Sequence, residues 1–182
     1  MKIKTLFLLA SLTVSGILHA ESVEIPVLYR NPAAEVKTGQ LQAFGFYEND
    51  TLIVLAFQIK DLETVVKNPK AVISFYSDSD NDLKTGRFPN ARGWDFQINM
   101  NLHRKTAGMA KWIGNEAHGL GKCRMSIKAD MLYLTFLKSA APGIEFKEQF
   151  KIRTLQLNEN RTVNKQKPVG VFPSKFELPA TK

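Results

Sequence analysis

Apolar and polar residues alternate along most of the stretch from residue 23 to residue 157, with β-branched and aromatic side chains at the apolar positions. Strands with one buried face need this arrangement. The longest run sets Trp94, Phe96, Ile98, Met100 and Leu102 against Asp95, Gln97, Asn99 and Asn101. A period of two over this run predicts a strand with Trp94 on its core side. Further strands are predicted at Val23–Arg30, Gln40–Glu48, Thr51–Ile59, Ala71–Tyr76, Gly108–Ile113, Lys122–Lys128, Met131–Leu137 and Gln149–Leu157. Glu48-Asn49-Asp50 reads as a hairpin turn, because Asn and Asp tolerate the left-handed backbone. Asp61–Lys67 reads as one or two helical turns capped by Asp61.

Strands this numerous and short leave no room for crossover helices, so the predicted class is all-β: an antiparallel two-sheet β-sandwich, jelly-roll or immunoglobulin-like. Ser77–Gly93, Ser139–Lys147 and Asn158–Lys167 interrupt the pattern. The first is long for a structureless connection, and such loops are usually functional or held by something added. The chain has no internal repeat and no second composition regime, which predicts a single domain over 21–182.

Ahead of it, Met1–Ala20 has the form of a secretory signal: Lys2 and Lys4, an apolar run from Leu6 to Leu18, and Ala20 before the cut. No later stretch approaches the roughly 18 apolar residues of a membrane helix, so no integral membrane segment is expected. Removing the signal leaves 23 basic against 17 acidic residues. The lysines are scattered, and the one basic run, Arg161–Lys167, reads as a solvated connection, so nucleic acid is not an expected partner. The single cysteine, Cys123, cannot form an internal disulfide and alternates with polar neighbours as a buried thiol. No lipobox cysteine follows the signal, and the expected location is periplasmic or secreted.

The chemistry concentrates in Ser77-Asp78-Ser79-Asp80-Asn81-Asp82-Leu83-Lys84-Thr85-Gly86. Carboxylates at every second position aim oxygens at a common point when a loop curls, which suits calcium. With Asp78 as first ligand, an EF-hand would need Gly where Leu83 stands and Glu where Pro89 stands, so that motif is excluded. On its own the loop fits a solvated turn equally well.

The longer pattern runs Phe75-Tyr76-Ser77-Asp78-Ser79-Asp80-Asn81, then Thr85-Gly86, Gly93-Trp94-Asp95-Phe96-Gln97-Ile98 and Lys111-Trp112-Ile113-Gly114. It resembles the family 9 carbohydrate-binding-module-like sandwich domains of exported proteins, a superfamily related to the sugar- or haem-binding DOMON domains. The resemblance extends from about Leu52 to Pro173. It implies that Asp78 and Asp80 lie in a cation-binding or tightly turned loop and that Asp95 faces back toward it. Phe96 stands where that family usually has Tyr. Asp82 has no counterpart there, and its place among the metal candidates Asp78, Asp80, Asp82 and Asp95 rests on alternation alone.

A sugar ring stacks its C–H face on an aromatic and turns its hydroxyls to fixed polar partners. Trp112 and Phe88 are the candidate platforms, and Gln97 and Asn99 the candidate polar contacts. The bland alternatives are packing for the rings and a solvated sheet face for the polar row. No nucleophile elbow, zinc motif or phosphate loop is present, so no catalysis is expected. The expected function is an exported non-catalytic binding module, calcium-stabilised and carbohydrate-recognising. The second reading is a structural or protein-interaction module of the cell envelope without sugar affinity. The third, implied by the resemblance, is a haem-binding electron-transfer domain using Met100 with His103, or Met109 with Lys111.

Overall fold

The computed structural model describes residues 6–8, 23–25, 27–31, 35–78, 82, 84–86, 93–144, 151–158 and 167–171. The chain is mostly antiparallel β. Its strands are β1 (Leu6–Leu8), β2 (Val23–Ile25), β3 (Val27–Arg30), β4 (Leu41–Glu48), β5 (Leu52–Ile59), β6 (Val72–Asp78), β7 (Phe96–Asn101), β8 (Thr106–Ile113), β9 (Glu116–Lys128), β10 (Met131–Leu137), β11 (Lys151–Asn158) and β12 (Lys167–Val171). β1 and β2 pair with each other, and the remaining strands form one hydrogen-bonded sheet in the order β12-β11-β6-β7-β8-β9-β10-β5-β4-β3.

β9 is the hinge of that sheet. Its first part, Glu116 to Cys123, pairs with β8, and its second, Arg124 to Lys128, pairs with β10. The ladder slips between Gly108 and Ala110, as a bulge does when it bends a strand. A Cβ at Gly121 would stand 2.7 Å from Ala140, so the turn at Lys138–Ala140 fits against β9 only because Gly121 carries none. The two wings joined by β9 bring their inner faces together. Phe57 of β5 meets Phe75 of β6 with ring centroids 5.6 Å apart, and Phe96 of β7 meets Phe136 of β10 at 6.2 Å. Neither pair joins sheet neighbours, so the sheet is curled around its core.

Leu41, Phe44, Ile53, Leu55, Phe57 and Ile59 from one wing, and Ile73, Phe75, Phe96, Ile98 and Met100 from the other, have no exposed surface. Burying a side chain of this size contributes roughly 1.5–3 kcal/mol. The outer face of β5 carries a second cluster, in which Leu52, Val54 and Ala56 pack with Tyr133 and with Ile25 of β2.

The Asn49 turn joins β4 to β5, with Asn49 Oδ1 accepting the amides of Thr51 and Leu52 at 3.0 and 2.8 Å. The predicted helical turn is α1 (Leu62–Val66). Asp61 precedes it in the left-handed region (φ 52°) without capping it, contrary to the sequence expectation. Its carboxylate accepts from Thr38 Oγ1 at 2.5 Å, and Asp130 Oδ1 caps the helix by accepting the amide of Leu62 at 3.2 Å. Trp94 also departs from its expected place. Pairing of β7 with β6 begins at Phe96 opposite Ser77, so the alternation does not govern residue 94. Trp94 is half-buried and stacks on Tyr76, with ring centroids 4.6 Å apart. Within Met1–Ala20 only β1 is described, and it lies antiparallel to β2.

Candidate functional site

The outer face of the β6-β7-β8 wing carries a connected set of polar side chains. Alternation turns Phe75, Phe96 and Ile98 inward, so Ser74, Tyr76, Gln97 and Asn99 face outward, with Tyr76 paired to Gln97 and Ser74 to Asn99. On β8, Ala110 stands beside Gln97 and Gly108 beside Asn99. Trp112 donates its indole N–H to Gln97 Oε1 at 2.7 Å. Gln97 Nε2 donates to Asn99 Oδ1 at 2.7 Å and lies 3.4 Å from the Tyr76 hydroxyl. Ser74 Oγ donates to Asn99 Oδ1 at 2.7 Å.

The polarity of this relay follows from its first member. An indole N–H is a donor only, so it requires the oxygen of Gln97, and the Gln97 amide nitrogen must then donate onward. Asn99 receives both donors on its oxygen. Its own amide nitrogen, with two hydrogens, is the group left to face outward, and Asn99 is exposed. Gln97 is 7% exposed and Tyr76 3%, so both orient the site from beneath. Trp112 is half-buried, and Trp94 lies over Tyr76 nearby. The sequence reading made Gln97 and Asn99 equivalent polar contacts. The structure separates them into a buried positioning residue and an exposed one.

At the head of the same face stand two buried acids. Asp78 has no exposed surface and Asp95 2%, and the Asp95 amide donates to Ser77 O at 3.2 Å. The Asp95 carbonyl accepts the backbone amide of Trp112 at 2.7 Å, which ties the acids to the aromatic end of the site. Both residues take part in further interactions within the chain. Asp82 is exposed, and its Oδ1 caps the loop by accepting the amide of Lys84 at 2.8 Å. Asp80 and Phe88 lie outside the described residues. Among the described residues no three His, Cys, Asp or Glu side chains group closely enough to hold an ion. The donor chemistry of Asp78 and Asp95 suits calcium, whereas Asp82 is turned to its own loop.

The haem candidates lie apart. Met100 is enclosed in the core, while His103 is exposed at the following turn with Nδ1 3.3 Å from Val66 O. Met109 is 4% exposed in the core, and Lys111 Nζ donates to Gly143 O at 2.8 Å. Among the described residues no helix is long and apolar enough to cross a membrane.

Tyr76, Trp94 and Ser74 are members of this face that sequence reasoning did not assign to it. Tyr76 and Ser74 were accessible in principle, since they pair with Gln97 and Asn99 once the β6–β7 register is known. The chain matches no protein-family model, no curated protein and no solved structure.

Proposed function

We propose that this chain is an exported, non-catalytic binding module that recognises carbohydrate on the outer face of the β6-β7-β8 wing. The observation that carries the reading is the relay from Trp112 through Gln97 to Asn99. It fixes an exposed amide donor, through Gln97, on the face that also carries the half-buried indoles of Trp112 and Trp94, and a sugar needs of a protein surface a flat apolar ring and preset polar partners. A two-sheet sandwich of the family 9 carbohydrate-binding-module-like kind is the architecture proposed with it, supported by the contacts of Phe57 with Phe75 and of Phe96 with Phe136. The signal at Met1–Ala20, export to the periplasm or beyond, and a single domain over 21–182 belong to the same proposal.

Calcium is the proposed structural ion, with Asp78 and Asp95 as its ligands. Its support is the burial of two carboxylates where β6 ends and β7 begins. A cation that binds only the folded state raises stability by about 2.7 kcal/mol at ~100-fold excess over Kd. The test of function is retention on a broad glycan array in millimolar calcium. Binding that is lost in Asn99→Asp, which keeps the oxygen accepting from Gln97 and Ser74 and removes the outward amide hydrogens, supports the reading. An empty array with a folded sample favours the envelope interaction module, and a Soret band on the purified protein favours haem.

A further inference from the structure

We infer that the carbohydrate bound on this face is acidic, of the uronic-acid class, with its carboxylate over Gly108 between Asn99 and Lys122. The inference rests on the carbohydrate reading above and deepens it. Glycine inside a strand weakens the strand and often marks a place where a ligand approaches the backbone closely. Gly108 and Gly119 both lie in strand interiors and are exposed, and a Cβ at either would meet nothing within 4 Å. The side-chain layer therefore has a gap, floored by β8 and β9 backbone and by Ala110, which pairs with Gly119.

The rim of the gap has one chemical character. Gly108 pairs with Asn99 on one side and with Lys122 on the other, so the three form a row across β7, β8 and β9 on the same face. Strands lie about 4.8 Å apart, so Asn99 and Lys122 flank an opening roughly 10 Å wide between their backbones. Asn99 offers amide hydrogens, for the reason given above, and Lys122 offers only donors. An acceptor is the matching group. A carboxylate matches both sides, because charge-assisted hydrogen bonds are roughly twice as strong as neutral ones.

Charge beyond the rim points the same way. Lys122, Arg124 and Lys128 occupy alternate exposed positions of β9, and among the described residues no carboxylate pairs with any of them. A chain of repeated acidic sugars would meet this stripe as it leaves the gap.

The experiment measures binding of the protein, in calcium, to polygalacturonate, its fully methyl-esterified neutral form, a neutral glycan set and polyphosphate. Polygalacturonate is expected to bind at least about ten-fold more tightly than the ester, one charge-assisted contact's worth, with affinity falling as salt rises. Gly108→Val is expected to abolish binding with melting unchanged or raised, since the added side chain enters open space and favours a strand. Lys122→Gln is expected to lose roughly ten-fold on the acidic glycan and nothing on a neutral one. Equal binding of acid and ester, or of polyphosphate and polygalacturonate, overturns the inference. Binding confined to neutral glycans overturns it while leaving the carbohydrate reading intact, and binding to no glycan overturns both.

Discussion

The indole nitrogen of Trp112 lies 2.7 Å from Gln97 Oε1 and ties β8 to β7 through a side-chain hydrogen bond on the exposed face. Gln97 is buried, so removing the donor strands its amide oxygen away from water. Leaving a buried acceptor unsatisfied costs about 1–3 kcal/mol. Trp112→Phe keeps a ring and deletes the N–H, and is expected to lower the unfolding free energy by about that amount in urea titration. Adding Gln97→Leu is expected to recover part of the loss. Two independent, additive effects would break the link between the residues.

Gly86 closes the Asp82 loop onto Trp94 and Asp95, the residues that lead into β7. Its φ is 76°, and a Cβ there would stand 2.5 Å from the carbonyl carbon and oxygen of Trp94 and 2.8 Å from the amide nitrogen of Asp95. Backbone cannot yield as a flexible side chain does. Gly86→Ala is expected to destabilise by at least ~2 kcal/mol, since the left-handed conformation alone costs an L-residue roughly 1–2 kcal/mol. A wild-type melting temperature would contradict this placement of the loop.

Ala129 sits at the tip of the β9–β10 hairpin with φ 50°, where glycine or asparagine is usual. Ala129→Gly removes the steric cost while widening the freedom of the unfolded chain, and the net expectation is a gain of about 0.5–1 kcal/mol. Lower stability in the variant would mean that the turn is not left-handed at this residue.

Burial raises the Cys123 thiol from an ordinary 9.0 to about 12, with a backbone hydrogen bond from Thr135 acting weakly the other way. The folded protein therefore keeps a neutral thiol where the unfolded chain ionises. Stability from this group is complete below pH 9 and falls as the pH rises toward 12, because above 9 the unfolded state has released the proton and the folded state has not. Folded protein at pH 8 is expected to resist a thiol-disulfide reagent until denaturant is added. Prompt labelling under native conditions would place Cys123 outside the core.

Alternation exposed most strands and the inward set of β5, β6 and β7, because a half-buried strand writes its two faces into a period of two. It missed the first half of β9, where Glu116 to Gly121 holds two glycines and no apolar alternation, because that segment is exposed. β12 begins at Lys167, where the polar connection ends, and is too short to show alternation; its pairing beside β11 needs backbone groups more than apolar side chains. Trp94 was misplaced by extending the period beyond the point where pairing begins. The candidate site was legible as residue types at Gln97, Asn99 and Trp112. Its internal order was hidden, because which side chain lies beneath and which faces out depends on cross-strand register and on a donor-only indole.

The most direct measurement of the central claim is a two-dimensional NMR titration of the folded protein with acidic and neutral oligosaccharides, following the Trp112 indole and the Asn99 side-chain amide. Both signals are expected to move in step with saturation, while those of Phe57 and its core neighbours stay in place. Shifts confined to other surfaces, or none with any glycan, would contradict carbohydrate recognition on this face.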